Sequence, residues 1–265
     1  MISVTSRNRL FGYFLNKLCY RRGIRVPVRS MSDQTHSDMP LVPFRDRSHA
    51  GQLLASLLES YVDRPGVLVL GLPRGGVPVA YEVAKSLRAP LDILLVRKLG
   101  VPGQKELAMG AIASGGMRVL NRQLIAALAI GDDEIEAVAQ RESHELERRE
   151  RLYRSGRPAP EVSGKTLILV DDGLATGATM RAAVEALRSR GPYRIVIAVP
   201  VGARATCDEL RGEVDDLVCA KASDQFYAVG MWYDDFSQVS DDWIRELLDR
   251  AALENSRATE HYSRS

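Results

Sequence analysis

Aromatic residues are scarce in this chain, 6% of 265, and cysteines scarcer still, three in all. Cys19, Cys207 and Cys219 are odd in number and scattered, and no CxxC pair occurs. That excludes a disulfide framework and a thiolate zinc ribbon, and leaves reduced thiols in a reducing compartment, the cytoplasm, as the expectation. The four histidines, His36, His49, His144 and His261, show no metal-ligand spacing and no Ser–His–Asp set, so no role is assigned to them and no protein-held metal is expected. Long apolar runs are also missing. The longest, near VLVLGL and IVIAVPV, have the length of strands and fall far short of a membrane span.

Acid is absent from residues 1–32, which carry seven basic residues (Arg7, Arg9, Lys17, Arg21, Arg22, Arg25, Arg29). The rest of the chain then holds 29 of the 36 basic residues against all 34 acidic ones, a net charge of −5. That balance speaks against a nucleic-acid-binding face there. The basic head has three readings: an organelle-targeting peptide, a tail that touches membrane or nucleic acid, or an extension upstream of a start at Met31. The last is favoured, because MSDQ makes a more typical start. In each case residues 1–40 are expected to be disordered and remote from the chemistry.

Along the rest of the chain, β-branched apolar runs alternate with helical patterns. VLVLGL (67–72) precedes VPVAYEVAKSL (77–87), and LDILLV (91–96) follows. AMGAIA and MRVL read as a strand pair turning at Ser114–Gly116. TLILV (166–170) precedes TMRAAVEALRSR, YRIVIAVPV (193–201) precedes ATCDELRG, and VDDLVCA (214–220) is a last strand. Continuous apolar strands separated by helices predict an α/β fold, a doubly wound and mostly parallel sheet covered on both faces. Residues 121–154 break the alternation with two helices. Asn121 caps the first. The second opens on Asp132, Asp133 and Glu134, ends on Arg148, Arg149, Arg151 and Arg154, and puts Ile135, Val138, Leu146 and Leu152 on one face. This helical insertion either packs at an edge of the sheet or caps the site. The expected domain spans 41–255, with a last helix at 240–252 and a flexible tail at 256–265.

LILVDDGLATGATM (167–180) carries the chemistry. An apolar strand ends in Asp171 and Asp172, and a loop of small residues (Gly173, Leu174, Ala175, Thr176, Gly177, Ala178, Thr179) leads into a helix. In an open parallel sheet, ligands bind beyond the carboxyl ends of the strands. A helix N-terminus offers unpaired N–H groups to phosphate, and small residues let the anion approach. The two carboxylates would repel phosphate, but they suit the vicinal hydroxyls of a sugar. Phosphate on one side and a diol on the other describe a 5′-phosphorylated ribose. The pattern is not a P-loop, since no lysine follows Gly177, and GLPRGGVP is not a GxGxxG fingerprint. An Asp pair that merely caps a helix is the plain alternative, disfavoured by the full loop.

This stretch resembles the phosphoribosyl pyrophosphate (PRPP) signature of type I phosphoribosyltransferases, matching at every position. It is similar above all to the adenine enzymes and to a group of phosphoribosyltransferases with no assigned acceptor. The resemblance covers roughly residues 45–250. It implies the family fold with a small hood, Mg²⁺ bound mainly through PRPP, a nitrogen acceptor from nucleotide salvage, and a homodimer, with no nucleic acid or membrane as partner. It implies that Asp171 and Asp172 hold the ribose, that 173–179 hold the 5′-phosphate, and that Arg74, Gly75 and Gly76 in LPRGG form the pyrophosphate loop. Arg97 and Lys98, at a strand end before Gly100, Pro102 and Gly103, resemble the basic pair of a mobile catalytic loop that closes over pyrophosphate, with Lys105 beside them. FYAVGMWYDDF (226–236) is similar to an acceptor-side wall. Hypoxanthine-guanine enzymes carry an acid before the loop's Thr-Gly, where this chain has Ala175. That leaves adenine, a pyrimidine or another amine as acceptor. A PRPP- or nucleotide-sensing regulator on the same fold, or a domain that has lost turnover, is the alternative to an enzyme.

Overall fold

The computed structural model describes residues 44–262, with Lys105, Glu106 and 257–262 described by their backbone only. The basic head, Cys19 and residues 263–265 lie outside the described residues.

The described residues open with helix α1 (Arg47–Ser56), capped by the Asp46 carboxylate, which accepts from the His49 N–H at 2.7 Å. A 3-10 turn at Glu59–Tyr61 leads to β1 (Val67–Gly71), α2 (Gly76–Leu87) and β2 (Leu91–Ile93). Then come β3 (Val96–Val101), β4 (Gln104–Ala113), β5 (Met117–Leu120), α3 (Arg122–Ala127) and α4 (Asp132–Arg154). The core resumes with β6 (Thr166–Val170), α5 (Ala178–Arg188), β7 (Arg194–Ala203), α6 (Arg204–Arg211) and β8 (Asp216–Ser223). A 3-10 turn at Val229–Trp232 precedes the last helix, α7 (Asp241–Tyr262). That helix runs past residue 255, where the sequence analysis placed the domain's end.

Five strands form a parallel sheet in the order β2-β1-β6-β7-β8. Side chains alternate across a strand, so the apolar runs sort into two layers. Val67, Val69, Ile168, Val170, Val196 and Ala198 meet α1 and α2. Leu68, Leu70, Leu167, Leu169, Ile195 and Ile197 meet Met180, Val184 and Leu187 of α5 and Cys207 and Leu210 of α6. Both faces are covered, which is why the strands read as unbroken apolar runs rather than as alternation.

LDILLV, read as one strand, divides between two sheets. The Leu94 N–H still donates to Gly71 at the end of β1 (3.1 Å), while the Leu95 N–H donates to Ser114 Oγ (2.9 Å) in the second sheet. That sheet, β3-β4-β5, is antiparallel, and β4 and β5 turn at 114–116 as expected. One face meets α3, α4 and α7 through Leu99, Val101, Met109, Ile125, Ile135, Val138, Leu146 and Leu247. On the other, Val96 and Met117 pack against the α5 layer.

The junction is held by Arg154. It is 6% exposed and donates to Asp92 (3.0 Å), Glu150 (2.9 Å) and the Ile93 carbonyl (3.1 Å). In the sequence this arginine is only one of four basic residues at a helix end. Two of the cysteines also meet: a Cβ on Gly202 would lie 2.6 Å from Cys207 Sγ and 3.5 Å from Cys219 Sγ. No helix among the described residues is long and apolar enough to cross a membrane.

Candidate active site

Asp171 and Asp172 follow directly on the end of β6, at the carboxyl edge of the parallel sheet. The loop beyond them is fixed from behind. Leu174 bridges Gly202 of β7, donating to the Val201 carbonyl (2.9 Å) and accepting from the Ala203 N–H (2.8 Å). Thr206 Oγ1 donates to the Ala175 carbonyl (2.7 Å). Gly177, at φ +71°, turns the chain into α5 in a conformation that favours glycine. The N–H groups of Ala175, Thr176 and Gly177 have no acceptor among the described residues. Ala175, Thr176, Ala178 and Thr179 are exposed. Unpaired N–H groups, small exposed residues and a helix N-terminus together make a cradle for an anion.

The LPRGG loop faces this one at backbone distance. A Cβ on Gly75 would sit 1.9 Å from Asp172 Oδ2, and one on Gly76 would sit 2.6 Å from the Val170 carbonyl. Both positions therefore require glycine for space. The Pro73–Arg74 peptide is cis. Arg74 reaches toward Asp241 at the start of α7 (3.9 Å), and Asp241 also accepts from Tyr153 (2.6 Å).

A cleft of about 360 Å³ opens between these loops, lined by Arg47, Arg74, Gly75, Asp172, Phe236, Gln238 and Val239. Asp172 is not free in it. Arg47 Nε donates to its Oδ2 (2.9 Å), and the Tyr233 hydroxyl donates to its carbonyl (2.5 Å). The Asp171 carboxylate accepts from the Asp172 N–H (2.9 Å). Burial raises the Asp171 carboxyl well above the ordinary range, and the neighbouring Asp172 charge raises it further. Burial raises Asp172 too, with Arg47 pulling the other way.

Two acids at a strand end thus have the loop 173–179 on one side and the Gly75–Gly76 loop on the other. The family model described as a phosphoribosyl transferase domain matches residues 47–235. The chain belongs to this family. A Mycobacterium tuberculosis H37Rv protein, named provisionally as phosphoribosyl transferase Rv0571c, is 47% identical over 208 residues, 78% of this chain and 47% of its own length. The chain thus spans about half the length of the curated relatives it matches. The crystal structure of TT1426 from Thermus thermophilus is similar at 42% identity and a TM-score of 0.69, covering 78% of this chain and 97% of that one. A more distant likeness, 33% over 129 residues, is to the bifunctional protein PyrR of Chloroflexus aurantiacus, covering 48% of this chain and 65% of that one.

Within this phosphoribosyl transferase domain, Arg97 and Lys98 are placed differently from the expectation. They do not end a strand. Both lie inside β3, whose hairpin with β4 turns only at Pro102–Gly103. Neighbouring strand residues face opposite ways. Arg97 shares the face of Leu99 and pairs with Glu142 on α4 (2.6 Å). Lys98 shares the face of Val96, which packs on the apolar layer that includes α5, and is exposed. The structure therefore sets Arg97 and Lys98 on opposite faces of β3. The Lys105 side chain lies outside the described ones.

The insertion 121–154 packs on the second sheet and against α7, with Ile135, Val138 and Leu146 buried. Of the aromatic tail, Phe236 lines the cleft and Tyr233 grips Asp172, whereas Tyr227 and Met231 are 81% and 66% exposed. Sequence reasoning missed Arg47. It lies 125 residues from the acid it binds, in a helix with no strong apolar pattern, and no local signal marks it.

Proposed function

We propose that this chain transfers the 5-phosphoribosyl group of PRPP to a nitrogen acceptor and releases pyrophosphate. The observation that carries this reading is the juxtaposition of Asp171 and Asp172 with the cradle 173–179 on one side and the Gly75–Gly76 loop on the other. The acids would accept from the ribose hydroxyls, and the free N–H groups and threonine hydroxyls would hold the 5′-phosphate. Arg74, the Gly75 and Gly76 backbone and Lys98 would face the pyrophosphate. As the bond from the anomeric carbon to pyrophosphate breaks, positive charge spreads over the ring, and the acceptor nitrogen forms the new bond and then sheds a proton. The protein contributes position and fixed charge rather than a covalent step.

Mg²⁺ fits as an ion held by PRPP oxygens and water. Among the described residues, no group of three or more His, Cys, Asp or Glu side chains is arranged to hold a metal. When bound, it would neutralise the departing pyrophosphate. The acceptor would enter the cleft beside Phe236 and Gln238. Ala175 stands where the hypoxanthine-guanine enzymes carry an acid, which favours an acceptor other than hypoxanthine or guanine. The likeness to PyrR supports a second reading, a PRPP- or nucleotide-responsive regulator on the same fold.

The test is pyrophosphate release from Mg²⁺–PRPP by the full chain over a panel of bases and amines, with the Asp171→Asn/Asp172→Asn double variant as control. Release that needs one acceptor and vanishes in the control supports the transferase. Tight PRPP binding without release over the panel moves the reading to the regulator.

A further inference from the structure

Arg47 is the first residue of α1, yet its side chain is 8% exposed. Helix-start arginines normally reach into water, because a buried guanidinium must satisfy its donors and its charge. This one does so at three places. Nε donates to Asp172 Oδ2 at 2.9 Å, Nη1 donates to the Ser237 carbonyl at 2.8 Å, and the guanidinium lies 3.9 Å from the centre of the Phe236 ring. The Tyr233 hydroxyl grips the backbone of the same aspartate. Tyr233 and Phe236 are themselves in contact, with ring centres 5.1 Å apart. The module is closed by backbone. The Phe44 N–H donates to the Trp232 carbonyl (2.7 Å), and the Asp234 N–H donates to the Phe44 carbonyl (2.8 Å). One guanidinium thus joins the acid at the end of the parallel sheet to the segment that lines the far wall of the cleft.

We propose that Arg47 is a positioning residue for phosphoribosyl transfer: it holds the Asp172 carboxylate in place and ties it to the acceptor-side wall at Phe236–Ser237. This inference rests on the reading of the site as one for PRPP. Arg47 need not touch PRPP. It acts through Asp172, whose other charged or titratable neighbours are Asp171, Tyr233 and, across the cleft, Arg74. Without Arg47, a buried carboxylate beside a second carboxylate would keep its proton to higher pH, and a protonated acid is a poorer acceptor for two ribose hydroxyls.

The experiment compares wild type, Arg47→Met, Arg47→Lys, Asp172→Asn and Arg47→Met/Asp172→Asn. Melting temperature is followed without ligand, and Mg²⁺–PRPP binding is followed by calorimetry as a function of pH, since burial raises the Asp172 carboxyl. Expected for Arg47→Met is binding weakened about tenfold to a hundredfold near neutral pH. The loss should shrink as pH rises and be partly restored by lysine. The double variant should be no weaker than Asp172→Asn alone, the sign of two residues acting as one. The melting temperatures without ligand should be non-additive in the same sense. Additive losses at every pH with no rescue by lysine would overturn the proposal, as would Arg47→Met binding that matches wild type. If wild type binds no PRPP, the functional reading falls and the positioning role falls with it. If wild type binds and the cycle shows no coupling, the positioning role falls alone.

Discussion

The two walls of the cleft are held by different physics. The sheet-side wall, residues 171–179, is set by backbone: Leu174 is bridged to β7, Ala175 is bonded to Thr206, and Gly75 and Gly76 lie against the acids with no room for a Cβ. The opposite wall, residues 44–47 and 232–239, is tied to Asp172 by one buried guanidinium and one hydroxyl, among aromatic rings. The first wall should be intolerant of any added atom in its backbone loops. The second should depend on one charge and its partner.

The sharpest way to break this contrast is Gly75→Ala. Its Cβ would fall 1.9 Å from Asp172 Oδ2, so the acid or the loop must shift by more than an ångström. Pyrophosphate release should drop about a hundredfold or more, with melting temperature little changed. Wild-type turnover in this variant would show that the sheet-side wall is not rigid.

Next comes Arg154→Met, which attacks the junction of the two sheets and leaves both walls untouched. It leaves Asp92 and Glu150 without their buried cation, so stability should fall by about 3–5 kcal/mol. Chemical denaturation measures the fall. PRPP affinity of the folded fraction should stay near wild type.

Lys98→Ala and Arg97→Ala separate the two faces of β3. The lysine change should lower turnover on the order of tenfold by removing one charge from the phosphate side. The arginine change should leave turnover near wild type and cost only packing against Glu142. The reverse ranking in steady-state kinetics would mean that the hairpin reorganises during turnover.

The smallest effect concerns pH. The Asp171 carboxyl is raised by burial and by Asp172. The folded chain then keeps a proton that the unfolded chain has lost, so stability declines as pH climbs from about 4, the ordinary Asp value, through the raised folded value. Asp171→Asn should flatten that decline, giving a melting temperature a few degrees above wild type near neutral pH while PRPP binding is lost. Parallel melting curves for the two proteins across that range would refute the assignment.

Much of this was legible in the chain because it is local. TLILVDDGLATGAT holds its own strand, acids, turn glycine and helix start within a few residues, so the cradle followed from adjacency. The same holds for GLPRGG and for the turn at 114–116. What was not legible depends on partners far away in sequence. LDILLV carries no mark of its division, because the break is made by bonds to Gly71 and Ser114. Arg97 and Lys98 look alike as a basic pair, and only pairing with β4 assigns them to opposite faces.

The sequence by itself determined the groups on offer: two acids, a loop of small residues at a helix start and a glycine loop, each fixed by short-range backbone geometry. Only the tertiary structure decided which charges serve them. Arg47 reaches the site and Arg97 turns away because burial and long-range pairing choose the partner of a charge, and neither is written in its neighbours along the chain.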